Sequence, residues 1–217
     1  MKALLSTCLV VAFFSPVASL ICASCLNLFG PCVNTEMQDC KDDGDICISL
    51  HFEVSLFPFL KINFKSCGPG PTCQNGDYRS TTEQNIHFRA IMDCCDENMC
   101  NQDIKIKPSV PKLVSNKLLC PGCYYLGTNN CTSKAKIPCY GEQTQCMNAA
   151  GSVQINRTVL PLSMPFALQA CTTPNICTFR VPLEFSSGGN IFKLSKMNCS
   201  PATFNSSKPT DGIVPGR

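Results

Sequence analysis

The run Cys94-Cys95-Asp96-Glu97-Asn98-Met99-Cys100-Asn101 constrains this chain more than any other stretch. Adjacent cysteines with a third one beyond a four-residue gap let one thiol bridge back into the fold while its neighbour closes a small local loop. The chain is pinned shut here. Cys22, Cys25, Cys32, Cys40, Cys47, Cys67 and Cys73 precede the run, and Cys120, Cys123, Cys131, Cys139, Cys146, Cys171, Cys177 and Cys199 follow it. The residues between successive cysteines number 2, 6, 7, 6, 19 and 5 in the first set and 2, 7, 7, 6, 24 and 5 in the second. Intervals that match in this way are an internal repeat.

Nineteen cysteines in 217 residues, with no tryptophan and 15% charged residues, belong to an oxidising compartment rather than to a cytosolic enzyme. The N-terminus agrees. Lys2 precedes an apolar run from Ala3 to Phe14, followed by Ser15-Pro16-Val17-Ala18-Ser19 with small residues at a signal peptidase's spacing. The run is shorter than the ~20 residues needed to span a bilayer. Residues 1–19 are therefore expected to be a signal peptide cleaved after Ser19, which removes Cys8 and leaves an even eighteen cysteines. Residues 201–217 read as a flexible polar tail without the hydrophobic stretch of a lipid-anchor signal. A secreted, extracellular protein without a membrane anchor is the expectation. Asn-x-Ser/Thr sequons at Asn130, Asn156, Asn198 and Asn205 all fall in the second repeat. Asn130 and Asn198 directly precede cysteines, where folding competes with glycan transfer, so Asn156 and Asn205 are the better acceptors.

Charge divides between the repeats. Residues 20–101 carry eleven acidic against five basic side chains, and residues 120–217 carry three against eight. Neither half has the clustered Lys/Arg runs of a nucleic-acid surface, so the asymmetry reads as solubility with mild steering of a charged partner. Between cysteines the pattern is β. Ile48–Ser55 and Leu60–Lys65 read as strands around a hairpin tip at Leu56-Phe57-Pro58-Phe59, and Met147–Ile155 and Phe166–Ala170 flank a second tip at residues 159–165. Ile86–Met92 and Ile191–Met197 read as the return strands of a third hairpin in each repeat. In the first of these, Ile86, Phe88, Ala90 and Met92 alternate, which predicts one packed and one wet face. Residues 102–119, with two prolines, four lysines and no cysteine until the next repeat opens, read as a semi-rigid linker. Neither repeat can bury a large core, so bridges worth typically ~2–4 kcal/mol each must supply much of the stability.

The spacing leaves the connectivity open. The opening Leu20-Ile21-Cys22-Ala23-Ser24-Cys25, the later intervals and the closing Cys94-Cys95 with Cys100-Asn101 resemble the three-finger fold of snake toxins and urokinase-receptor-type domains. That resemblance implies a small all-β, disulfide-rich protein with two tandem three-finger domains, residues 20–101 and 120–200. It implies bridges Cys22–Cys47, Cys25–Cys32, Cys40–Cys67, Cys73–Cys94 and Cys95–Cys100 in the first, and Cys120–Cys146, Cys123–Cys131, Cys139–Cys171 and Cys177–Cys199 in the second. The second domain departs from the pattern by lacking the terminal cysteine pair and its asparagine, which implies a looser edge there. Two such domains, with Leu119-Cys120-Pro121-Gly122 entering the second, resemble the gamma-type phospholipase A2 inhibitors. The eight-cysteine second domain is also similar to sodefrin-precursor-like pheromones. The first resemblance implies an inhibitor that covers the lipid-entry surface of a secreted phospholipase A2 and leaves a homo-oligomer open; the second implies a signalling ligand.

Catalysis is poorly supplied. The two histidines, His51 and His87, read as surface strand positions, and no nucleophile elbow, zinc-binding His-Glu-x-x-His or phosphate-cradling glycine loop occurs. Cys22-Ala23-Ser24-Cys25 and Cys120-Pro121-Gly122-Cys123 have the spacing of redox or zinc motifs, but they open β-rich domains in an oxidising context and read as structural. No enzyme, metal or other cofactor is expected. Binding is left. Leu56, Phe57, Phe59 and Leu60 in the first repeat and Leu160, Leu162, Met164 and Phe166 in the second place apolar side chains at finger tips. There they either meet a protein partner or fold back on their own sheet or the other domain. The acidic Asp42, Asp43 and Asp45 could steer a basic phospholipase.

Overall fold

The computed structural model describes residues 19–55, 61–103, 113–155, 162–187 and 190–204. Residues 1–18 of the stretch read as a signal peptide, the tip residues 56–60 and Leu160, most of the stretch read as a linker, Asn156 and Asn205 lie outside the described residues.

In the first repeat, β1 (Ile21–Asn27) and β2 (Glu36–Asp39) form finger one, β3 (Asp45–Val54) and β4 (Lys61–Pro69) finger two, and β5 (Gly76–Thr81) and β6 (His87–Cys95) finger three. The second repeat opens with β7 (Ser115–Pro121), which begins inside the stretch read as a linker. It continues through β8 (Cys123–Leu126), β9 (Lys136–Tyr140), β10 (Gln145–Ile155), β11 (Leu162–Thr172), β12 (Leu183–Ser187), β13 (Asn190–Pro201) and β14 (Thr203–Phe204). No α-helix occurs among the described residues, and none there could cross a membrane.

The strands pair antiparallel within and between fingers. The sheet runs β12-β13-β10-β11-β5-β6-β3-β4-β1-β2, so it crosses from one repeat into the other where β11 meets β5. That junction is short, Cys171 opposite Thr81 and Thr172 opposite Ser80. Further along the same edge of β11, β8 pairs Phe166 to Gln169 with Leu126 to Cys123.

Sulfur fills the core, as a domain with few large apolar side chains requires. Nine bridges are formed: Cys22–Cys47, Cys25–Cys32, Cys40–Cys67, Cys73–Cys94, Cys95–Cys100, Cys120–Cys146, Cys123–Cys131, Cys139–Cys171 and Cys177–Cys199. Each repeat stacks two of them at its base. Cys22 Sγ lies 3.3 Å from Cys40 Sγ, and Cys139 Sγ lies 3.6 Å from Cys120 Sγ.

Asn101 closes the first repeat. It is fully buried; its amide donates to Ala23 O at 2.9 Å and Ile48 O at 3.1 Å, and its side-chain oxygen accepts from Ala23 N at 2.8 Å. One side chain thereby ties β1, β3 and the last disulfide loop together. The second repeat has no such residue after Cys199. Its end is held by backbone pairing instead, β13 to β10 as far as Pro201 and β14 to β7.

Two expectations are corrected. The alternation on β6 does not leave a wet face, because its second face carries Arg89, buried and paired with Asp77 and Glu53, together with half-buried His87 against Tyr140 and half-buried Ile91. Neither histidine sits on the surface. His51 is buried with Nδ1 2.8 Å from Asn63 Oδ1, and half-buried His87 has Nδ1 2.9 Å from Thr81 Oγ1. His51 lies on β3 between β4 and β6 of its own repeat, and His87 meets Tyr140 of the second repeat edge-on.

Candidate functional site

Strand alternation sorts the sheet of the first repeat into two chemically different faces. The register sets Phe52, Ala90 and Tyr78 side by side across β3, β6 and β5, then Val54, Phe88 and Ser80. One residue out of phase, Glu53, Arg89 and Arg79 form the opposite face.

On the polar face Asp77 joins two guanidinium groups. Arg79 Nη2 lies 2.6 Å and Arg89 Nη2 2.8 Å from Asp77 Oδ2, and Arg89 Nη1 reaches Glu53 Oε1 at 3.5 Å. Burial pushes the Asp77 carboxyl up, but the hydrogen bonds and charges of Arg89 and Arg79 outweigh it and hold the group below the usual carboxylate range. A pocket of about 380 Å³ opens beside the network, lined in part by Lys61, His87, Leu113 and Gln143. Burial pushes the His87 imidazole down, and its ring stands edge-on to Tyr140 of the second repeat with centroids 5.3 Å apart.

The apolar face looks into a trough of about 500 Å³ between the repeats. Its far wall is Tyr124 and Leu126 on β8 with Phe166 and Leu168 on β11, and Phe88 approaches Tyr124 across it with ring centroids 6.0 Å apart. Phe166 can lie there because its cross-strand partner is Gly151, where an added Cβ would fall 2.1 Å from Lys193 O and 2.8 Å from the Phe166 ring. Among the described residues no charged side chain lines the trough, and burial pushes the Tyr78 and Tyr124 phenols up, so these walls are neutral at physiological pH.

A belt of buried hydroxyls fixes one repeat against the other. Thr81, Thr82 and Thr172 are fully buried. The Thr82 hydroxyl is shared between Cys123 O at 3.0 Å and Gln169 O at 2.9 Å, Ser80 Oγ lies 3.0 Å from Thr172 Oγ1, and Gln143 Nε2 donates to Thr81 Oγ1 at 2.9 Å. Bonds from Thr173 N to Arg79 O and from Arg79 N to Thr173 Oγ1 close it, at 3.0 and 3.1 Å.

The finger-tip residues separate. Leu162 is 53% exposed at the start of β11, Met164 is half-buried, and Phe166 turns into the trough. The most exposed apolar side chains described in the first repeat lie elsewhere, on finger one: Phe29 at 70%, Val33 at 81% and Met37 at 76%. The loop that carries Phe29 is preorganised. Cys25–Cys32 closes it, Asn27 Nδ2 donates to Pro31 O at 2.9 Å, and Asn63 Nδ2 donates to Gly30 O at 2.6 Å. Phe29, inside the bridged loop, and Val33, just beyond it, escape a pattern-based reading because they show no alternation, and Met37 because β2 has only four residues. Glu36, Asp39, Asp42 and Asp43 are exposed in the same region of the chain. Of the sequons within the described residues, Asn130 and Asn198 are exposed.

Metal chemistry finds no free ligands in the sulfur clusters. Cys22, Cys40 and Cys67 converge, as do Cys120, Cys139 and Cys171, with sulfurs within 4.8 Å, yet every one is bridged.

Residues 20–102 match the phospholipase A2 inhibitor family, and residues 116–180 match the u-PAR/Ly-6 domain. Phospholipase A2 inhibitor NAI of Notechis ater is 28% identical over 185 residues, covering 82% of this chain and 86% of the relative. A phospholipase A2 inhibitor gamma subunit of Gloydius brevicaudus siniticus is 27% identical over 213 residues, covering 96% of this chain and all of the relative. The crystal structure of mouse TEX101 aligns with 83% of this chain and 97% of its own at 21% identity, with a TM-score of 0.33, too loose a superposition to carry an argument. Two cysteine repeats folded as fingers make the chain a tandem three-finger protein, similar in its first repeat to the phospholipase A2 inhibitor family and in its second to the u-PAR/Ly-6 domain.

Proposed function

We propose that the protein is a secreted, non-enzymatic inhibitor of a secreted phospholipase A2 and acts by steric binding. The observation that carries this reading is kinship along nearly the whole chain to a phospholipase A2 inhibitor gamma subunit, which spans both repeats rather than one shared domain. The surface chemistry supports it. Finger one offers three large exposed apolar side chains, Phe29 on a bridged, hydrogen-bonded loop, Val33 just beyond the bridge and Met37 on the paired strand β2, and such preorganisation lowers the entropy lost on binding. The contact surface in this reading comprises Phe29, Val33 and Met37, together with the second-finger tips Leu56, Phe57, Phe59, Leu60, Leu160 and Leu162. Acidic side chains beside finger one attract a basic enzyme.

The test is hydrolysis by a panel of secreted phospholipase A2 enzymes with direct binding recorded alongside. Nanomolar association, about −12 kcal/mol, together with suppressed hydrolysis is the expected result. Neither binding nor inhibition across the panel would transfer the protein to the signalling-ligand class.

A further inference from the structure

The trough between the repeats has the size and the rigidity of a ligand site. It is continuous with the domain interface, its volume of about 500 Å³ falls within the ~300–1,000 Å³ of small-ligand sites, and both of its walls are fixed by the hydroxyl belt. Two hydroxyls on the near wall are both taken. Ser80 Oγ pairs with Thr172 Oγ1, and Tyr78 Oη donates to Gln74 O. The strands beneath are paired on both sides, so their backbone groups are also engaged.

These facts discriminate between occupants. A peptide strand laid against the near wall would bury N–H and C=O groups without partners, which is unfavourable. An ionic headgroup would meet no counter-charge among the described lining residues. An alkyl chain has no polar group to leave unpaired and gains with each methylene removed from water. The geometry points to a binding site for a single long acyl chain, a free fatty acid lying with its tail along Phe88, Tyr124 and Leu168 and its carboxylate in solvent. The site is independent of the phospholipase reading, since finger one and the trough are different surfaces.

The experiment uses the purified, delipidated chain titrated with cis-parinaric acid, whose fluorescence rises in an apolar site, followed by displacement with oleate. Two variants accompany it. Ala90→Phe fills the floor between Phe52 and Tyr78, and Leu126→Asp places a charge at a half-exposed point of the wall, where folding is undisturbed. Saturable binding of one chain per protein, displaced by oleate and about tenfold weaker in both variants at unchanged melting temperature, is expected. Absence of saturable binding, or binding that both folded variants retain in full, overturns the assignment, as does an apolar peptide that displaces the probe where oleate does not.

Discussion

Asn101 and Asp77 carry the first repeat through hydrogen bonds that no apolar side chain could replace. Asn101→Ala leaves Ala23 N, Ala23 O and Ile48 O short of partners in a fully buried site, so urea unfolding should show a loss of about 3 kcal/mol with the bridges intact. Asp77 makes a different prediction because its contribution depends on its charge. Its folded-state pKa lies below the unfolded one, so the carboxylate adds stability above about pH 4 and loses that contribution as pH falls through the folded value. Asp77→Asn should therefore cost about 1–3 kcal/mol at neutral pH, discounted for the one-third exposure of the group, and much less near pH 3. Equal losses at both pH values would show that geometry rather than charge holds the network.

Between elements, the decisive contact is the one where β5 meets β11. Thr82→Val keeps the shape and removes the hydroxyl hydrogen that Cys123 O and Gln169 O share. Hydrogen exchange at residues 79–82 and 172–173 should rise together in this variant while exchange at the sulfur-packed bases stays unchanged; unchanged protection at the junction would mean that the belt does not hold the repeats together. Cysteine intervals and strand alternation make the fingers legible in the chain alone, because covalent spacing and period-two patterning are local properties. The junction is not legible there. Ser80, Thr81, Thr82 and Thr172 read as ordinary polar strand residues, and their burial depends on the partner repeat that only the fold supplies. His87 misleads for the same reason, and His51 because its burial depends on the neighbouring strands of its own sheet. Phe29 and Val33 escape because nothing in an irregular segment marks which side chain its domain fails to cover, and Met37 because a four-residue strand is too short to show a pattern.

For the whole molecule, the acidic first repeat and the basic second make a charge-separated body whose attractive end for a basic enzyme is the first. Reversing Asp42, Asp43 and Asp45 to lysine should slow association with a basic phospholipase A2 roughly tenfold at low salt and little at high salt. Unchanged on-rates would exclude steering. The most direct measurement is vesicle hydrolysis by one susceptible phospholipase A2 titrated with the native chain and with a Phe29→Ser, Val33→Ser, Met37→Ser variant. Stoichiometric loss of hydrolysis with the native chain and a marked loss of potency in the folded variant are expected if finger one covers the enzyme. Undiminished hydrolysis at excess native chain, or equal inhibition by both, would refute inhibition through this surface.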